Sequence, residues 1–186
     1  MVGCVGRVQH DLYHVYTVDQ HQLYAVAMQK RLWRGELATE HPLATQLWRE
    51  VRRPAPVLLG TLLHDVGKPR TRGYQQGTGV TFHHHDAVGA RMTRKRLEAL
   101  RYSNDDVQAI TELVALHLRF HTYAMGWTDS AVRRYVRDAG PLLQELNVLT
   151  RCDCTTRNEK KALMLSRRMD DLEARIADLA AHEELA

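Results

Sequence analysis

Three cysteines, five prolines and two phenylalanines are few for a chain of 186 residues. Cys4, Cys152 and Cys154 are too sparse, and odd in number, for a disulfide framework, so they read as reduced thiols of a cytoplasmic protein. Cys152 and Cys154 are spaced as CxC, which excludes a CxxC redox pair. No apolar run reaches the roughly 18 residues of a membrane span. The opening MVGCVGRV lacks the long apolar core of a secretory signal, so neither a membrane nor a leader is expected. The formal charge of +4 is a mild excess and does not by itself mark a nucleic-acid binder. HExxH, an EF-hand loop, internal repeats and sustained strand alternation are also missing. The length allows one domain with a real hydrophobic core, and no more than one comfortably.

Helical periodicity fills most of the chain. The spacing predicts a helix from Asp11 to Arg34 stopped by Gly35, and a second over Pro42–Arg52. A third opens on Pro54 and Pro56, where a missing N–H costs little, and carries Val57 to Asp65. Glycines 73, 77 and 79 mark Thr71–Val80 as a loop or short hairpin. Further helices are expected over His85–Leu100, from a Ser103/Asp106 capping box to Leu118, after Thr128, after Pro141 and over Asn158–Glu184. The fold class is therefore all-α, a bundle of about seven or eight helices with a long last one.

Against these scarcities stand eleven histidines. His21, His64, Asp65, His85, His117 and Asp153 each sit beside apolar residues of separate predicted helices. A charged Asp on an apolar face is costly unless it is paired or metal-bound. A single histidine in that setting is more often a core residue with satisfied hydrogen bonds. The adjacent pair in LLHDVGKP argues for more: an apolar helix ending on two ligand-type side chains points both at one spot. Gly67 then lets the chain turn closely past it, and Lys68 follows as a mobile positive charge suited to a phosphate oxygen. Mixed imidazole and carboxylate donors suit borderline divalent ions.

LLHDVGKP resembles the signature of the HD superfamily of metal-dependent phosphohydrolases, with His21 as its first histidine and Asp153 as its last aspartate. Gln22 stands where that family usually has Ser or Thr. The resemblance implies one or two divalent ions (Mn, Co, Ni, Fe, Mg or Zn). The ligands it implies are His21, His64, Asp65 and Asp153, with His85 and His117 for a second ion. It also implies a phosphate-ester small molecule or nucleotide as substrate, with Asp65 and Lys68 as catalytic residues. The chain from QHDLYHVY to LLHDVGKP looks like the HD domain of uridylyltransferase/uridylyl-removing enzymes. From LLHDVGKP onward it looks like the C-terminal HD region of CCA tRNA nucleotidyltransferases, without their polymerising core. The expected layout is an extension over 1–9, the HD domain over 10–158, and an amphipathic helix over 159–186.

Other features carry weaker readings. His84, His121 and Arg91 are candidate substrate contacts. Arg91, Arg94, Lys95, Arg96 and Arg101 on one helix, and Arg133, Arg134 and Arg137 on another, are solvated faces or an RNA surface, with tRNA the partner the resemblance implies. Ala162, Leu165, Met169, Leu172, Ile176 and Leu179 form a heptad-like seam that packs on its own domain or joins a homodimer. Uridylyl removal from a signalling protein, and a non-catalytic RNA-binding module, are the alternatives to a general phosphohydrolase.

Overall fold

A computed structural model gives the fold and describes Cys4, residues 17–154 and residues 159–184. The expected start of the first helix, Asp11 to Tyr16, lies outside these residues. Helix α1 is Val18–Trp33, and its buried residues Val18, His21, Gln22, Ala25, Gln29 and Leu32 recur at helical spacing along one face. The chain turns away at Gly35, whose φ of +75° is the left-handed value a glycine reaches without strain. Helix α2 is Pro42–Glu50 and α3 is Pro54–Leu63, each with proline in its first turn.

Helix α3 is the central element, packing against α1, the later helix α6 (Asn104–Leu116) and α8 (Leu143–Asp153). Gly60 makes the α6 crossing close: a β-carbon there would stand 3.1 Å from Leu113 Cβ. After α3 come the short helix α4, Lys68–Thr71, and a two-stranded hairpin of β1 (Gly73–Gln75) and β2 (Gly79–Thr81). The strands pair antiparallel in the register Gly73 with Thr81, Tyr74 with Val80 and Gln75 with Gly79. The glycine-rich stretch is thus a hairpin, and Pro69 opens a short helix where the sequence suggested only a break.

Helix α5, His85–Ala99, lies along α6. Ser103 caps α6 as its sequence suggests, its Oγ accepting from the Asp106 amide at 3.2 Å. A 3-10 segment, Arg119–Met125, leads to α7 (Asp129–Ala139), capped by Thr128. Helix α8 follows, and α9 (Glu159–Glu184) closes the domain. The heptad-like seam packs inward. Met169 and Leu172 are fully buried with Leu113, Val132, Leu146 and Leu149, and Leu165, Ile176 and Leu179 pack beside them. Among the described residues no helix is long and apolar enough to cross a membrane.

Candidate metal centre

His64 is the C-cap residue of α3, so the helix that fixes its backbone ends where its ring begins to diverge. Its Nδ1 donates to the Thr61 carbonyl at 2.7 Å. His85, at the start of α5, donates from Nδ1 to Phe82 O at 2.8 Å. His117, the C-cap of α6, donates from Nδ1 to Val114 O at 2.7 Å. A carbonyl oxygen only accepts, so each of these three rings carries a proton on Nδ1 and turns Nε2 to the same centre. A backbone carbonyl three residues back is the kind of outer support that orients metal-binding imidazoles.

Six side chains from five helices converge there. His21 Nε2 lies 2.8 Å from Asp153 Oδ1 and 3.2 Å from His64 Nε2. His64 Nε2 is 3.1 Å from the same Asp153 oxygen. Asp65 stands between this group and a second one. Its Oδ2 is 3.3 Å from His64 Nε2, while its Oδ1 is 3.2 Å from His85 Nε2 and 3.8 Å from His117 Nε2. The donor atoms of His21, His64 and Asp153 lie within 4.8 Å of one another, and so do those of Asp65, His85 and His117. All six residues are buried.

The donor set fits a divalent cation. Two carboxylates and four imidazoles out of water are costly unless something positive binds them. His117 Nε2 has no hydrogen-bond partner among the described residues. Two imidazole nitrogens 3.2 Å apart repel unless a proton or a cation lies between them.

The electrostatics of the side chains alone show the same demand for positive charge. Burial pushes the His64 imidazolium down, but the Asp65 and Asp153 carboxylates outweigh it and hold its pKa up at about 10. Burial would raise both carboxylates. His64 and Lys68 hold Asp65 well below the usual range, and His64, His121 and His21 do so for Asp153. Burial, and then the charge on His64, drive His117 down to about 3. Burial also lowers His21 against the pull of Asp153.

Lys68 is not the mobile charge its sequence position suggests. It is 3% exposed, and its Nζ lies 2.7 Å from Asp65 Oδ2 and 5.7 Å from the centre of the Phe82 ring. The reason is the approach of α5. A β-carbon on Gly67 would stand 2.2 Å from His85 O and 2.7 Å from the Gly89 amide nitrogen, so only glycine admits this crossing. The packing that brings His85 to Asp65 also covers Lys68.

The candidate substrate contacts divide. His121 reaches the centre, its Nε2 3.5 Å from Asp153 Oδ2 with 41% of the side chain exposed, and marks the open side of the cluster. His84 does not. It is the exposed N-cap of α5 at φ +60°, with its ring against His83. Arg91 is exposed on α5, and no hydrogen bond or ion pair joins it to the cluster among the described residues. Neither residue therefore contacts the site in this structure. The basic faces are exposed as well, that of α5 on a helix packed on α4 and α6, and that of α7 on a helix packed on α8 and α9.

Sequence reasoning passed over Gln29 and Thr61. Gln29 Nε2 donates to Thr61 Oγ1, tying α1 to the turn of α3 whose carbonyl holds His64. The signal was there: Gln29 lies eight positions after His21, two helical turns along the same face. Gln22 is fully buried, and among the described residues neither polar atom of its amide has a hydrogen-bond partner. Among the described residues none of the three cysteines is in a disulfide, and Cys152 and Cys154 flank Asp153.

A helical domain whose α3 terminus places an adjacent His-Asp pair amid histidines from three other helices defines a class of metal-binding hydrolytic fold. The chain matches the HD domain over residues 39–182 and belongs to that family, which is generally one of metal-dependent hydrolases. The matched stretch holds His64, Asp65, Lys68, His85, His117 and Asp153, while His21 precedes it.

Among curated proteins the chain is similar to bifunctional uridylyltransferase/uridylyl-removing enzymes. That of Nitrosospira multiformis is 36% identical over 120 residues, 64% of this chain and 12% of that protein. That of Azospirillum brasilense is 31% identical over 140 residues, 75% of this chain and 14% of that protein. That of Ruegeria pomeroyi is 31% identical over 172 residues, 87% of this chain and 18% of that protein. The chain thus spans less than a fifth of the length of these relatives.

Proposed function

We propose that this chain is a metal-dependent phosphohydrolase that cleaves a phosphodiester, and that its substrate class is a nucleotidyl group such as the uridylyl group its relatives are named for removing. One observation carries the reading: Asp65 presents one oxygen to His64 and the other to His85 and His117. That is how a carboxylate shared between two ions would be placed. His21, His64, Asp65 and Asp153 would hold one ion, and His85 and His117 would complete a second with Asp65. The ions would be drawn from Mn, Co, Ni, Fe, Mg and Zn.

A divalent ion bound there supplies Lewis acidity, which acidifies water for attack and polarises the phosphoryl group. The side chains do the rest. The Nδ1 bonds of His64, His85 and His117 keep their rings aimed, so the set is preorganised before substrate arrives. Lys68 steadies Asp65 through the 2.7 Å ion pair and adds a fixed positive charge beside the phosphoryl oxygens. His121, at the exposed side, contacts the entering phosphate. Burial of the other six residues keeps bulk water from the reacting atoms.

The test is metal analysis of protein purified without chelator, followed by incubation with a uridylylated signalling protein and, separately, with a panel of phosphoesters in Mn, Co or Ni. Release of UMP that Asp65→Ala abolishes supports the full reading. Hydrolysis of other esters alone supports the phosphohydrolase and removes the uridylyl substrate. Protein without metal or any hydrolysis sensitive to Asp65→Ala sinks both.

A further inference from the structure

Helix α9 does more than close the core. Its flank grips the 3-10 segment Arg119–Met125 and the turn that follows. The Tyr123 hydroxyl donates to Asp171 Oδ2. One helical turn further along α9, Arg175 donates from Nη1 to the Trp127 carbonyl at 3.0 Å and from Nη2 to Asp129 Oδ1 at 2.7 Å. Its guanidinium lies over the Tyr123 ring, 6.0 Å from the centroid, and Trp127 meets that ring edge-on at 5.3 Å. Trp127 Nε1 then donates to Thr122 Oγ1 at 3.2 Å.

The segment held this way bears His121. Phe120 and Tyr123 on either side of it are buried in the main core, while His121 reaches Asp153. Seven residues are a long run for a 3-10 helix, whose hydrogen bonds are poorly aligned, so its position depends on what it is tied to. Asp153 is referred to the same helix from the other side. Arg151, two residues before it on α8, donates from Nη2 to Asp170 Oδ1 at 2.6 Å and to Glu173 Oε2 at 2.7 Å. Helix α9 therefore sets both partners of the His121–Asp153 contact, although among the described residues it places no side chain in the metal cluster.

We propose that Tyr123, Asp171 and Arg175 are positioning residues: they latch the 3-10 segment to α9 and so hold His121 over Asp153 at the open side of the site. The consequence for hydrolysis rests on the phosphohydrolase reading above; the latch does not. Because Arg175 and Asp129 are partly exposed, these contacts contribute little to global stability. What they decide is the local order of one segment.

The test uses the full chain with Tyr123→Phe, Asp171→Ala, Asp171→Asn, His121→Ala and the Asp171→Ala/His121→Ala double variant. Hydrogen exchange of the metal-free proteins is read first. Asp171→Ala and Tyr123→Phe should speed exchange of the amides of residues 119–126 by about tenfold or more while α3 and α6 keep their protection. Hydrolysis of bis(p-nitrophenyl) phosphate with Mn is read second. Asp171→Ala should lower kcat/KM by about as much as His121→Ala, on the order of tenfold, and the double variant should be no worse than His121→Ala alone. Asp171→Asn, which keeps an acceptor for the Tyr123 hydroxyl, should recover most of that loss. Unchanged exchange over 119–126 overturns the latch, and so do losses that multiply in the double variant. A wild type with no hydrolysis sinks the phosphohydrolase reading, and exchange still decides the latch.

Discussion

Replacing Gly67 with alanine should damage the site through packing alone. The φ of Gly67 is −76°, which any residue adopts, so no backbone strain enters. The obstacle is space: the new β-carbon would lie 2.2 Å from His85 O and 2.7 Å from Gly89 N, where ordinary contact begins at 3.4 Å. Both neighbours are backbone, and no rotamer change clears them. The start of α5 must withdraw by about 1 Å. Overpacking of this kind costs about 1–3 kcal/mol, of which about 0.4–1 kcal/mol is offset by the stiffer unfolded chain. At about 2–4 °C per kcal/mol for a chain of this size, the melting temperature should fall by up to about 10 °C and the protein should stay folded. The withdrawal takes His85 away from Asp65 Oδ1, now 3.2 Å distant, and leaves His21, His64 and Asp153 in place. Affinity for the ion assigned to Asp65, His85 and His117 should therefore drop by about tenfold or more. Thermal melting and a Mn titration followed by electron paramagnetic resonance read both effects. Gly73→Ala, which meets only the Thr81 hydroxyl at 3.1 Å, serves as the control. If Gly67→Ala melts with the wild type and binds Mn as tightly, the close crossing of α5 is not what positions the cluster.

Asp153→Asn should leave a folded helical protein while shrinking the rise in melting temperature that Mn gives the wild type between about pH 5 and 8; an equal rise in both proteins would remove Asp153 from the ligands. In the chelated protein, His64 has its pKa raised from 6.5 to about 10, so its stabilising contribution is complete below pH 6.5 and is lost as pH rises through 10. The urea midpoint should accordingly fall across that window more steeply in the wild type than in His64→Gln, and parallel profiles would refute the assignment. Binding of a divalent ion must expel the same proton, so calorimetric titration at about pH 7.5 in buffers of different ionisation enthalpy should show about one proton released; no dependence on buffer would count against it. Leu172→Ala should cost about 2–5 kcal/mol in urea denaturation, because the side chain is 0% exposed in the core. A loss near zero would mean that the α9 seam does not pack on its own domain.

The amino-acid sequence by itself determined most of the helices and several of their ends, because these depend on neighbours a few positions apart. Apolar spacing drew α1 to α3 and α5 to α9 but not the short α4, Ser103 and Thr128 marked two starts, and the glycines of residues 73–79 marked the hairpin. It also singled out the six cluster residues, since ligand-type side chains beside apolar ones have no cheap alternative to being paired or bound. Only the tertiary structure decided how those side chains meet. His21 and Asp153 are 132 positions apart, and nothing local to either states which oxygen faces which ring. Lys68 looked solvated until α5 crossed Gly67 and covered it. His84, His121 and Arg91 looked alike as loop or helix polar residues. The fold turned His121 to Asp153 and left the other two in solvent, because orientation at a surface follows from what an element packs against. The seam of α9 left open both its own domain and a partner helix, since an apolar stripe states only that something must cover it. The cluster of Leu113, Val132, Leu146 and Leu149 covers it here, because α6, α7 and α8 bring these side chains together into the core that α9 meets.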